Sequence, residues 1–244
     1  MFKTFYDSAL QHPGIAFIAT ALFLIFFLTK LPALAGQRRA RFLSGFVLLF
    51  GIEILADAFF TGAYSPVAGG PLMQPIAIAF VILGDYRYFV VVERAIRARS
   101  VDALDGLGSP ATWGIALVFA FIVPILSVIP QKKFPEAFTN MNAIFLVYEA
   151  MFFVLALVLL VAVLPKRLRG VDAELATWVR RLTIFELVQY GLWATADVLI
   201  LSGVTEPGYL LRVVPNTLYY GGFLPFLYFT APARLRGAGG SAWR

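Results

Sequence analysis

Cysteine is absent from all 244 residues, and histidine occurs once, at His12. The first absence excludes disulfides, thiolate nucleophiles and cysteine-ligated metals. The second excludes bis-histidine haem and histidine-cluster metal sites. Charge is also scarce: 14% of residues are Asp, Glu, Lys or Arg, against about 25% in ordinary soluble domains. Walker-type phosphate loops and dinucleotide-binding fingerprints are missing. No serine or second histidine lies mid-span to build a nucleophilic triad.

What is present is apolar. Hydrophobic residues make up 60% of the chain, and the mean hydropathy is +0.82. One soluble core of this size could not hide that much surface, so lipid must be part of the solvent. The net charge is +6 and the pI about 9.7. In a soluble protein this would suggest nucleic acid. Here the basic residues sit in short loops between apolar runs, so a bilayer, and no nucleic acid, is the expected partner.

A helix needs about 20 apolar residues to cross the hydrocarbon core. Seven stretches meet this, at about 13–34, 42–64, 73–96, 110–130, 138–164, 178–203 and 209–232, each bounded by Pro, Gly or charge. The expectation is an all-α, seven-span membrane domain over residues 1–236, with a disordered tail at 237–244. Lys30, Arg38, Arg39 and Arg41 follow span 1, and Arg94, Arg97 and Arg99 follow span 3. Lys166, Arg167, Arg169, Arg180 and Arg181 follow span 5, and Arg234, Arg236 and Arg244 follow span 7. Only Lys3, Lys132, Lys133 and Arg212 fall on the opposite side. Fifteen against four puts the N-terminus outside and the C-terminus in the cytoplasm. The expected location is a bacterial cytoplasmic (inner) membrane. Trp113 and Trp178 are expected at the cytoplasmic interface. Residues 1–12 form either an interfacial segment or a frayed end, and span 1 lacks the basic start of a cleaved signal.

Gly84, Phe89, Arg97 and Arg99 of span 3 fall on Gly221, Phe226, Arg234 and Arg236 of span 7 at one constant offset, and spans 2 and 6 share Ala56–Asp57 and Ala196–Asp197. This is the pattern of two parallel three-helix units joined by span 4. With Leu192–Trp193 and Ser202–Gly203 in span 6, the chain resembles the superfamily of microbial rhodopsins and SWEET/PQ-loop transporters. The resemblance implies a 3+1+3 fold and carries no site residue. Span 7 has no lysine, so no covalent retinal is expected, and Pro130–Gln131 lies outside the position where PQ-loop proteins use that dipeptide.

The informative residues are the ionisable ones inside the spans. A mid-bilayer charge costs at least ~2.5–3.5 kcal/mol on insertion scales. Glu53 and Asp57 share one face of span 2; Asp85 and Arg87 lie in span 3 and Glu149 in span 5. Glu186, Gln189, Tyr190, Trp193 and Asp197 step by three and four along span 6, and Asn216 and Tyr219 lie at matching depth in span 7. Arg87 is expected to pair with Glu53 or Glu149. Six carboxyls near one arginine cannot all stay ionised, so some hold protons or a cation is bound.

The preferred reading is a carboxylate-rich intramembrane pocket, at those twelve positions, that binds or transports a small ligand or cation, with protons coupled to it; the metal and any cofactor are left open. A second reading is an intramembrane enzyme. Leu83–Gly84–Asp85 resembles the Gly-x-Gly-Asp motif of intramembrane aspartyl proteases and prepilin peptidases, with Asp57 as the other member of a dyad. Ile82 replaces the first glycine of that motif, which favours a non-enzyme. A third reading is a non-catalytic subunit or sensor acting through a partner subunit or a second copy of the chain.

Overall fold

The computed structural model describes residues 1–34, 37 and 40–237. Arg38, Arg39 and the tail from 238 onward lie outside the described residues, so those loop charges and that disorder are not addressed by it. Among the described residues the chain is all helix, with no strand. Six helices are long and apolar enough to cross a membrane: Leu10–Leu34, Ala40–Thr61, Met73–Ala98, Pro110–Lys133, Met141–Arg167 and Ala173–Leu201. In chain order the α-helices are α1 (Phe2–Tyr6), α2 (Ala16–Leu34), α3 (Ala40–Thr61), α4 (Met73–Ala98) and α5 (Pro110–Lys133). They continue with α6 (Met141–Val158), α7 (Leu164–Arg167), α8 (Ala173–Leu201), α9 (Thr205–Thr217) and α10 (Phe223–Thr230).

The bundle is apolar outside as well as inside. Ile18, Leu22 and Ile25 on α2, Val118, Ile125 and Ile129 on α5, and Val154, Val158 and Val161 near the end of α6 are all exposed. These outward stripes are what lipid contact accounts for and water does not.

The last expected span departs from the others. It is built in three pieces: α9, a π-helical turn at Leu218–Gly222, and α10. Neither α9 nor α10 is long enough to cross alone, and Arg212 and Asn216 make α9 polar. Pro225 follows the π-turn closely, and Pro165 likewise follows the π-turn at Leu159–Val163. A proline lacks the N–H that the preceding turn needs, and a wide turn is one way to absorb this.

The two ends of the bundle differ. At the arginine-rich end the loops are knitted together. Arg94 donates to the Asp105 carbonyl at 2.7 Å, and Arg167 forks onto the buried Glu93. Asp172 accepts from the Val101 amide at 2.9 Å and donates its own amide to the Arg99 carbonyl at 2.7 Å. Beneath them Phe42, Phe46, Tyr88, Leu182, Phe223 and Leu227 are fully buried. Trp178, expected at the interface, is in this core instead, because its Nε1 finds the Leu227 carbonyl at 3.2 Å.

At the other end the N-terminal segment is packed rather than frayed. α1 packs on α9, and Tyr6 reaches the bundle interior. Close helix contacts rest on glycines. A Cβ at Gly221 would lie 2.6 Å from Ala19 Cβ, and one at Gly84 would fall on the Tyr219 hydroxyl. Gly84→Ala is therefore expected to destabilise the fold by roughly 1–3 kcal/mol through overpacking. The same substitution in a Tyr219→Phe background should cost less. Thermal unfolding of the four proteins in detergent measures the coupling, and equal costs in both backgrounds would refute the contact.

Candidate functional site

All twelve polar positions expected from the sequence turn inward; eleven sort into three groups, and Asp57 stands apart. The first lies nearest the basic-poor end and centres on Arg212, which by sequence counted only among the few charges of that side and which is buried. Its Nη1 donates to Asp197 Oδ1, its Nε donates to the Tyr6 hydroxyl at 2.8 Å, and its Nη2 is 3.4 Å from Glu149 Oε1. Asn142 also donates to Asp197, at 2.8 Å. Trp193 Nε1 donates to Asn216 Oδ1 at 2.7 Å, and Asn216 donates to the Tyr6 hydroxyl at 3.3 Å.

The second group surrounds Arg87. Of its two expected partners Arg87 takes Glu53, at 3.5 Å, and Glu149 goes to Arg212. The Arg87–Glu53 approach is an ion pair without a formed hydrogen bond, since neither Glu53 oxygen has a hydrogen-bond partner. Arg87 Nη2 instead donates to the Tyr219 carbonyl at 2.8 Å, inside the π-turn. A wide turn frees carbonyls from the helical ladder; the next one, of Tyr220, accepts from Thr20. The guanidinium also lies 4.1 Å from the Tyr219 ring centre and 4.8 Å from that of Phe223. Glu186 is within electrostatic reach of Arg87, and Gln189 is buried with its Oε1 unpaired.

The third group holds Asp85, which accepts from both Tyr148 and Tyr190. Asp57 has different partners. It accepts from Thr61 at 2.9 Å, and the Thr61 hydroxyl meets His12 Nε2 at 3.0 Å. Asp57 and Asp85 are thus satisfied separately, which is not the arrangement a proton-sharing dyad requires.

A cavity of about 790 Å³ opens at the basic-poor end. Six of the expected residues line it: Asp57, Glu149, Tyr190, Trp193, Asn216 and Tyr219. Glu53, Asp85, Arg87, Glu186, Gln189 and Asp197 are not on its wall. The expected pocket left out α5, yet Pro124, Ser127 and Gln131 of that helix border the cavity. Tyr6, Gln11 and His12 of the N-terminal segment border it too. Among the described residues no three His, Asp or Glu side chains converge as metal ligands.

Sequence reasoning missed Arg212, Tyr148, Tyr6 and Thr61. A signal existed for the first: Arg212, Asn216 and Tyr219 step by four and three, which places them on one helical face. Proximity to the span's end hid it, because loop arginines and inward-facing arginines look alike there. None existed for Tyr6, whose role depends on how the N-terminal segment folds back.

No known protein family, curated protein or solved structure matches the chain.

Arg212 anchors two buried carboxylates, so Arg212→Leu should cost roughly 3–5 kcal/mol by leaving charges uncompensated. Adding Asp197→Asn and Glu149→Gln should recover most of that loss. Unfolding by SDS titration tests both parts, and a triple variant no more stable than Arg212→Leu would refute the pairing.

Proposed function

We propose that the chain is a seven-span protein of a bacterial inner membrane whose cavity binds a small ligand or cation and carries it across, coupled to proton movement through the buried carboxyls. The observation that carries this reading is the cavity itself: open at the basic-poor end, bordered by Asp57 and Glu149, with fully buried aromatic and aliphatic side chains closing the arginine-rich end. An interior open at one end and sealed at the other is one of the two states that alternating access requires.

In this reading α9, the π-turn and α10 together make the seventh span. Broken helices beside a buried polar site are a recurrent device in transporters. The arginine-rich end faces the cytoplasm, so the cavity opens outward, and α2–α4 and the helices from α6 to α10 form the two repeat units around α5. Glu53 and Glu186, both within electrostatic reach of Arg87 and off the cavity wall, supply the carboxyls a proton would use. A catalytic aspartate pair is the weaker reading, because Asp57 and Asp85 take different partners.

The absence of native cysteine makes orientation simple to test. Glu136→Cys should react with an impermeant maleimide added outside intact cells, and Glu174→Cys only after lysis. The reverse pattern would overturn the orientation. For transport, proteoliposomes with a trapped pH-sensitive dye should dissipate imposed proton or cation gradients faster than empty vesicles. Ala77→Trp, which fills the cavity, should return the rate to that of empty vesicles. No flux under any gradient would sink the transport reading.

A further inference from the structure

The cavity has an unbalanced charge. Asp57 and Glu149 border it, and Arg212, the one guanidinium on its wall among the described residues, is divided between Glu149 and Asp197, so one positive charge faces three carboxyls. Glu149 is only 3% exposed. One of its oxygens has the long contact to Arg212, and the other, Oε2, has no hydrogen-bond partner in the protein. Glu149 lines the cavity, and a carboxylate with an unpartnered oxygen there is a seat for positive charge.

The surroundings narrow what kind. Among the described residues no three His, Asp or Glu side chains converge, which disfavours a multivalent metal ion. Aromatic faces are abundant instead: Phe145, Tyr148 and Trp193 share the cavity wall with Glu149. Arg212 demonstrates the environment, since its guanidinium carbon is 5.2 Å from the Phe145 ring centre and 5.8 Å from that of Tyr6. Carboxylates with aromatic faces are how proteins hold alkylated ammonium groups. Farther along the wall, Ile78, Val81, Ile82 and Val128 present only hydrocarbon.

We infer that the cavity selects a monovalent organic cation, an amine or quaternary ammonium, whose charged head sits between Glu149 Oε2 and the aromatic wall while its apolar body lies against α4 and α5. This rests on the pocket reading above and adds the ligand's chemical class to it. The head exchanges water for a carboxylate and ring faces, and the apolar body gains by leaving water.

The test uses the full chain in nanodiscs and isothermal titration calorimetry with three probes: benzyltrimethylammonium, its neutral carbon isostere, and benzenesulfonate. The cation should bind at least about tenfold more tightly than the isostere, and the anion should not bind. Glu149→Gln should remove that preference and leave the isostere's affinity unchanged. Phe145→Leu, which keeps every charge, should weaken only the cation, by about two- to thirty-fold; it also serves if Glu149→Gln fails to fold. Equal binding of cation and isostere, unaffected by either substitution, would overturn the cation class while leaving the pocket. If none of the three probes binds and Ala77→Trp alters no flux, both this inference and the pocket reading fall.

Discussion

Two guanidiniums inside an apolar bundle set the terms for what surrounds them. Arg87 and Arg212 are both almost wholly buried, so each draws carboxylates, carbonyls and ring faces from several helices. Arg212 ties α9 to α8 through Asp197, to α6 through Glu149 and to the N-terminal helix through Tyr6. Arg87 ties α4 to α3 and to the π-turn. The polar groups therefore determine which helices are neighbours, a task that apolar side chains alone perform poorly when lipid is as apolar as they are.

The π-turn at Leu218–Gly222 links that electrostatic demand to the backbone. A regular helix would have tied up the Tyr219 carbonyl; here it accepts from Arg87, while the ring of the same residue covers the guanidinium. Gly84 leaves room for the Tyr219 hydroxyl and Gly221 lets α2 approach. Small residues, a wide turn and a buried cation thus form one unit, and altering any one of them changes the fit of the other two.

The asymmetry between ends follows from where polar groups were affordable. At the arginine-rich end charged residues bond to loops and leave the interior to Phe42, Phe46, Leu182 and Leu227. At the opposite end they point inward, and side chains that converge on charge pack less fully than those that converge on hydrocarbon. The cavity lies there, with the N-terminal segment along its border.

Long apolar runs indicated from sequence alone an all-helical chain suited to a bilayer, because span length and hydropathy are local properties. Seven such runs were expected, and the structure has six helices that suit a bilayer, the last run being divided between α9, a π-turn and α10. The inward orientation of Glu53, Glu149, Glu186 and Asp197 was equally legible, since helical spacing and the cost of charge in lipid leave few alternatives. Tertiary structure alone decided the pairing. That Glu149 belongs to Arg212 and Glu53 to Arg87, that Asp85 is held by two tyrosines apart from Asp57, and that Tyr6 folds back to the bundle all depend on which helices touch and how they are rotated. Those are relations between distant segments, and periodicity within one segment does not encode them.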